Sequence, residues 1–136
     1  MTLTDLFSSL GAKLANQRWA WGGARDDGTI VLRAWQDEIH LIDGRYRARL
    51  THHKLFVNDP DNLGFVERLR HVQLIEEGAE AFVVICKATD PKKMPRSIES
   101  FNSDFVYSGR EVIKDEAGDS WLVCRQKLDV SEIRSS

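Results

Sequence analysis

Long apolar runs are absent from this chain. None approaches the roughly 20 residues that a membrane-spanning helix needs, and the opening residues do not resemble a signal peptide. Cytoplasmic localisation without a membrane partner is therefore the expectation. Cysteine is scarce too. Cys86 and Cys124 each sit inside an apolar run, and neither a CxxC nor a mixed Cys/His ligand spacing occurs. That pattern predicts buried free thiols rather than a metal site or a disulfide. An excess of one charge sign is also missing. With 19 basic and 21 acidic residues the net charge is −2, so any polyanion binding must rely on a local patch.

Signatures of catalysis are equally sparse. The chain has no nucleotide-binding glycine fingerprint, P-loop or nucleophile elbow, and Gly22-Gly23 alone does not make one. Asp26-Asp27 and Asp59/Asp61 sit in turn-forming sequence rather than in a metal-binding cluster. His52-His53, with Asn58 nearby, superficially matches the histidines and asparagine of HNH nucleases. On a strand, however, neighbouring side chains point to opposite sides, so the pair cannot both reach one metal. No catalytic residue, metal or cofactor is expected.

What the chain does have is tryptophan in one place. The stretch from Asn16 to Trp35 holds three of the four. Trp19 and Trp21, two apart, would place both rings on one face of an extended strand. Gly22-Gly23 follows as a flexible shoulder, then the turn Asp26-Asp27-Gly28, then the strand-like run from Thr29 to Trp35. Together these read as a β-hairpin, with a loop of two residues or more. The rings either form the core of a small β-rich domain or line a pocket for a flat ligand such as a nucleobase.

The rest of the chain is compatible with one domain over residues 1–136, with 1–2 and 129–136 as frayed ends. Apolar spacing predicts a helix over 3–15, opened by a Thr2/Asp5 capping pair and weakened at Gly11. A second helix over 62–77 follows the turn sequence Asn58-Asp59-Pro60-Asp61-Asn62. Phe65, Val66, Leu69, Val72 and Leu74/Ile75 lie on or near its apolar face, Arg68 and Arg70 point away, and His71 lies on its surface. Between the helices, Asp43-Gly44 marks a tight turn. Arg45, Arg47 and Arg49 then alternate with Tyr46, Ala48 and Leu50, so a strand would carry three arginines on one face and turn the other three residues to the core. The basic run continues to Lys54. Such a face is either simply solvated or in contact with phosphates. Ala81–Ala88 reads as a central strand, followed by a stiff basic loop with Lys92, Lys93 and Arg96 around its prolines. Residues 97–102 suggest a helical turn, 105–107 a short strand, and 111–114 with 120–125 a closing hairpin.

This layout predicts an α+β fold: a single domain with a curved, mostly antiparallel sheet or small β-barrel and two main helices. The layout resembles the PUA-like superfamily, which includes the EVE, ASCH and YTH domains. RWAWGG and AFVVICKATDPKKMPRSIESF are also similar to accessory domains attached to HNH-type restriction proteins. The resemblance implies recognition of RNA, or of a modified base in DNA, by aromatic rings around an extruded base. By residue type it carries over only to Trp19, Trp21 and Trp35. The candidate nucleic-acid-binding set is then Trp19, Trp21, Trp35, Arg45, Arg47, Arg49, Lys54, Lys92, Lys93 and Arg96, for a non-catalytic reader of modified or unpaired bases in DNA or RNA. The rival is a protein-interaction module, such as a small defence- or immunity-related protein. An enzyme acting on a small ligand comes third.

Overall fold

Ala81–Ala88, apolar almost throughout, has both edges occupied by other strands, as its composition requires. The computed structural model describes residues 1–16, 19–93 and 96–134. In chain order the helices are α1 (Leu3–Ser9), α2 (His53–Phe56), α3 (Leu63–Glu76) and α4 (Val130–Arg134). The strands are β1 (Gly22–Ala24), β2 (Ile30–Trp35), β3 (Ile39–Ile42), β4 (Arg45–Arg49), β5 (Ala81–Ala88), β6 (Ile98–Phe101), β7 (Phe105–Gly109), β8 (Glu111–Lys114), β9 (Ser120–Val123) and β10 (Gln126–Asp129).

They form two sheets. The first runs β1-β2-β5-β7-β10, and β6 shares the β7 edge of β5 farther along the strand. The second runs β3-β4-β9-β8. All the pairings are antiparallel except β2 with β5, whose long connection contains α3. The fold is α+β and a single domain, and its two sheets do not close into a barrel.

Alternation along β2 divides the interior. Val31 joins Phe82, Val84, Cys86 and Val106 against Leu6, Phe7 and Leu10 at the N-terminal helix and Val130 and Ile133 of α4. Ile30, Leu32 and Ala34 turn the other way and join Ala48, Leu50 and Leu122 with Val72 and Ile75 of α3. Cys86 and Cys124 are free, buried, and in different clusters. Burial pushes both thiols up to about 11. No helix among the described residues is long and apolar enough to cross a membrane.

Several expectations need correction. The first helix stops at Ser9 rather than 15. Gly11, at φ +80, lets the Ala12 N–H reach the Phe7 carbonyl and its own N–H reach Ser8, so it ends the helix instead of weakening its middle. Thr2 is held in a capping box with Asp5. The other expected frayed end forms the last residue of β10 and then α4, because Val130 and Ile133 bury apolar surface in the same cluster as Leu6 and Phe7; residues 135–136 lie outside the described residues. Residues 98–101 form a strand, β6, since the end of β5 has an open edge to pair. Thr51–Lys54 leaves β4 and enters α2, so His52-His53 does not lie on a strand.

The hairpin β1–β2 exists, with a loop from Arg25 to Thr29, but Trp19 and Trp21 precede its first strand. Nor is Gly22-Gly23 a flexible shoulder. Both residues are buried, and a Cβ on Gly22 would stand 2.5 Å from the Val31 carbonyl and one on Gly23 2.7 Å from that of Ala12. Close backbone packing is the reason for glycine there.

Candidate functional site

Helix α3 is the element that builds the site, and its buried face matches the hydropathy stripe only in part, at Phe65, Val72 and Ile75. Gly64, Phe65, Arg68, His71, Val72 and Ile75 face inward, while Leu63, Val66 and Leu69 are exposed. Arg68, 4% exposed, is buried by what it binds. Its Nη1 donates to the Leu50 carbonyl at 2.7 Å, and its Nη2 donates to the carbonyls of Arg33 at 2.9 Å and Trp21 at 3.3 Å. One guanidinium thus ties the lead-in to β1, the body of β2 and the exit of β4 to a single helix. No carboxylate forms an ion pair with it among the described residues. Burial, reinforced by the charge of Arg33, lowers Arg68 to about 9, which leaves it cationic at neutral pH.

These three segments and α2 enclose a cavity of about 300 Å3, at the small end of ligand pockets. Trp21, Trp35 and Phe56 supply its aromatic surface, and Arg33, Arg49, Arg68 and Arg96 all line it. Trp21 is held from behind by Gly64, where any Cβ would overlap the indole, and packs at 5.3 Å on Phe56, which stacks on Phe65. Trp35 lies under Arg96, 5.3 Å from its centroid.

The arginines divide into two kinds. Arg49 pairs with Glu38 at 2.8 Å and Asp119 at 3.8 Å, and Arg96 grips Asp37 through two hydrogen bonds of 2.7 and 2.9 Å. Their charges are locally balanced. Arg33 and Arg68 have no such partner among the described residues. Arg33 lies 6.0 Å from the Trp21 ring and 5.9 Å from the Trp35 ring, and no hydrogen bond or ion pair engages its guanidinium among the described residues. Burial lowers its pKa. A cation held between two indoles, with its N–H donors unused, favours an incoming anion or carbonyl.

Several polar atoms behind the wall also lack partners. The Nε atoms of Arg49, Arg68 and Arg96 and the His52 Nδ1 are buried without partners among the described residues. The one lining carboxylate among them, Glu38, is already engaged by Arg49. The guanidinium left at the wall with neither a hydrogen bond nor an ion pair among the described residues is that of Arg33, which supplies donors only. A ligand that fits is flat, apolar on its faces and rich in acceptors at its edge.

No family model matches the sequence, and comparison with curated proteins and with solved structures gives no match.

Of the sequence-predicted residues, the structure brings Trp21, Trp35, Arg49 and Arg96 together at this cavity. Trp19 is half-buried and does not line it; its backbone N–H is bonded to Asn16. Arg47 is half-buried on β4 away from the cavity, and Arg45 is exposed at the far end of that strand. Lys54 lies exposed on α2, and Lys92 and Lys93 are exposed in a loop whose Met94 and Pro95 lie outside the described residues. Sequence reasoning missed Arg33, Phe56 and Arg68. His71, expected on the helix surface, is buried. Three carboxylates outside the cavity have depressed pKa values: Asp5 and Asp27 through hydrogen bonds in a helix cap and a turn, and Asp115 first through the hydrogen bond donated by the Trp121 indole. No group of three or more potential metal ligands occurs among the described residues.

Proposed function

We propose that the protein is a non-catalytic nucleic-acid-binding module that takes a single unpaired or modified base into the cavity between Trp21, Trp35 and Phe56. The observation that carries this reading is Arg33, a cation without an ionic partner among the described residues, set between two indole rings at the wall of a base-sized cavity. Aromatic faces stack on any base, at about 1–3 kcal/mol each, and a few kcal/mol are needed to unstack the base from its neighbours. The donor-rich wall adds preference for a base edge that presents carbonyl oxygens or a negatively charged substituent. We also propose kinship with the PUA-like superfamily, although the two sheets here do not close into a barrel.

Tryptophan fluorescence tests it directly. Modified and unmodified oligonucleotides, single- and double-stranded, are titrated at two salt concentrations. Quenching by a strand containing an unpaired base is expected, and absence of binding tighter than millimolar at low salt would sink the proposal. Trp35→Leu keeps apolar contact with the core and removes the stacking ring. It is expected to lose about 1–3 kcal/mol of affinity for the unpaired base while retaining most salt-sensitive binding.

Arg33→Met separates function from structure. Removing an uncompensated, largely buried cation is expected to leave thermal stability equal or higher, while affinity for the oligonucleotide falls. A structural role for the guanidinium would instead lower the melting temperature together with binding.

A second reading, docking of another protein, is favoured by the exposed row Leu63, Val66 and Leu69 on α3. Three-residue spacing puts these side chains on one side of the helix. Val66→Lys would abolish such docking without altering oligonucleotide affinity.

A further inference from the structure

At the opposite end of β4 from the cavity lies a second surface, made of different chemistry. Tyr46, 44% exposed, stacks on Tyr107 with centroids 5.6 Å apart and an interplanar angle of 22°, and Tyr107 meets Phe105 edge-on at 5.7 Å. Lys127 sits over the Phe105 ring at 4.0 Å. Arg45, Arg125 and Lys127 line the shallow groove beside the two tyrosines, and no acidic residue lines it among the described residues. Among the same residues none of these three cations forms an ion pair. Arg45 and Arg125 also line a neighbouring depression, with Arg110 and the acidic Glu76 and Glu111, but form no ion pair with them.

We propose that this aromatic and basic groove is a second binding site, which holds the backbone and one stacked base of a single-stranded nucleic acid whose other base occupies the cavity. Exposed tyrosine is tolerated at a surface that stacks ligands, and three cations that form no ion pair among the described residues give the groove local positive charge on a chain of net charge −2. Strand β4 connects the two sites. Leu50, just past its end, lines the cavity and Tyr46 lies four residues back, a separation of roughly 13 Å along the strand. That lies within the footprint of a strand of about 4–16 nucleotides. The inference shares the nucleic-acid ligand with the proposed function but not its residues.

The two sites can be read separately, because the groove contains tyrosines and the cavity tryptophans. Tryptophan quenching by a mononucleotide reports the cavity, and anisotropy of a labelled single strand of about 12 nucleotides reports the whole surface. Tyr46→Ala is expected to weaken the strand by roughly 5- to 150-fold. The triple variant Arg45→Gln, Arg125→Gln, Lys127→Gln is expected to flatten the salt dependence of strand binding by about 2 in log–log slope. Both variants should keep the wild-type melting temperature and mononucleotide quenching. Wild-type strand affinity and slope in both would overturn the proposal. So would displacement of the strand by poly-glutamate of matched charge, which would make the groove a site for acidic protein. If mononucleotide quenching is absent but strand binding still depends on Tyr46 and the three cations, the cavity reading falls and the groove stands.

Discussion

Replacing Arg68 with methionine is expected to lower the free energy of unfolding by about 3–5 kcal/mol, a large share of the stability of a domain this size. Methionine keeps an unbranched side chain in place, so the loss comes chiefly from polar groups. Three backbone carbonyls, those of Leu50, Arg33 and Trp21, lose their charged donor in the interior. A hydrogen bond from a charged donor is worth about 1.5–3 kcal/mol, and three on one group add less than their sum. Offsetting this, the desolvated cation itself disappears, which is why the expected value is not larger. Lysine at the same position keeps the charge but has no planar fork to span three acceptors, so Arg68→Lys should fall between wild type and methionine. Urea unfolding of the three proteins checks the order, and a methionine variant within about 1 kcal/mol of wild type would show that water satisfies these carbonyls. Because the same carbonyls belong to the residues that frame the cavity, oligonucleotide binding should fall with stability in this variant, unlike in Arg33→Met.

The contrast between these two arginines explains what the sequence could and could not reveal. Strand β5 is legible to the residue, because a run such as Ala81–Ala88 has only one economical place, with both edges paired. The turn at Asp43-Gly44 and the closing hairpin are legible for the same local reason: the turn residues and the flanking strand patterns agree. Helix α3 is legible as a helix and in part of its buried face, at Phe65, Val72 and Ile75, but not at the edges of that face. A hydropathy stripe assigns Val66 and Leu69 to the core and Arg68 to solvent, yet both apolar residues are exposed and the arginine is buried. The deciding fact is the convergence of three carbonyls from segments far apart in sequence, which no local pattern contains.

The candidate site shows the same division. Tryptophan abundance points to the region that holds the cavity, and Trp21 and Trp35 line it. Arg33, in the middle of β2, carries no local signal that sets it apart, and only tertiary structure places it between two rings. The arginine face of β4 is legible in its alternation but not in its grouping. Arg49 reaches the cavity and is held by Glu38, whereas Arg45 belongs to the groove at the other end. A strand carries its side chains along its length as well as across its faces, and spacing alone reveals only the second.

The last consequence of the buried face of α3 is a dependence of stability on acid. His71 is 8% exposed, and burial, together with the positive charges of Arg68 and Arg70, lowers its pKa to about 4 from an ordinary 6.5. The folded protein therefore holds this imidazole neutral across a range in which the unfolded chain protonates it. Above pH 6.5 both states are neutral and the folded state suffers no penalty. As pH falls from 6.5 toward 4 the unfolded chain binds the additional proton, so stability declines, and below 4 both states are protonated and the loss levels off. At about 1.4 kcal/mol per pH unit the full loss is about 3 kcal/mol. Urea unfolding of the wild type at about pH 7, 6, 5 and 4.5 is expected to show most of this decline, with free-energy curves that bend below roughly pH 6.5. His71→Gln removes the titrating group and keeps a polar side chain of similar reach. Its curve should be flatter by that amount over the same range, whatever its stability at neutral pH. Parallel curves for variant and wild type would show that His71 protonates in the folded state as readily as in the unfolded chain, and that the charge of Arg68 does not reach it.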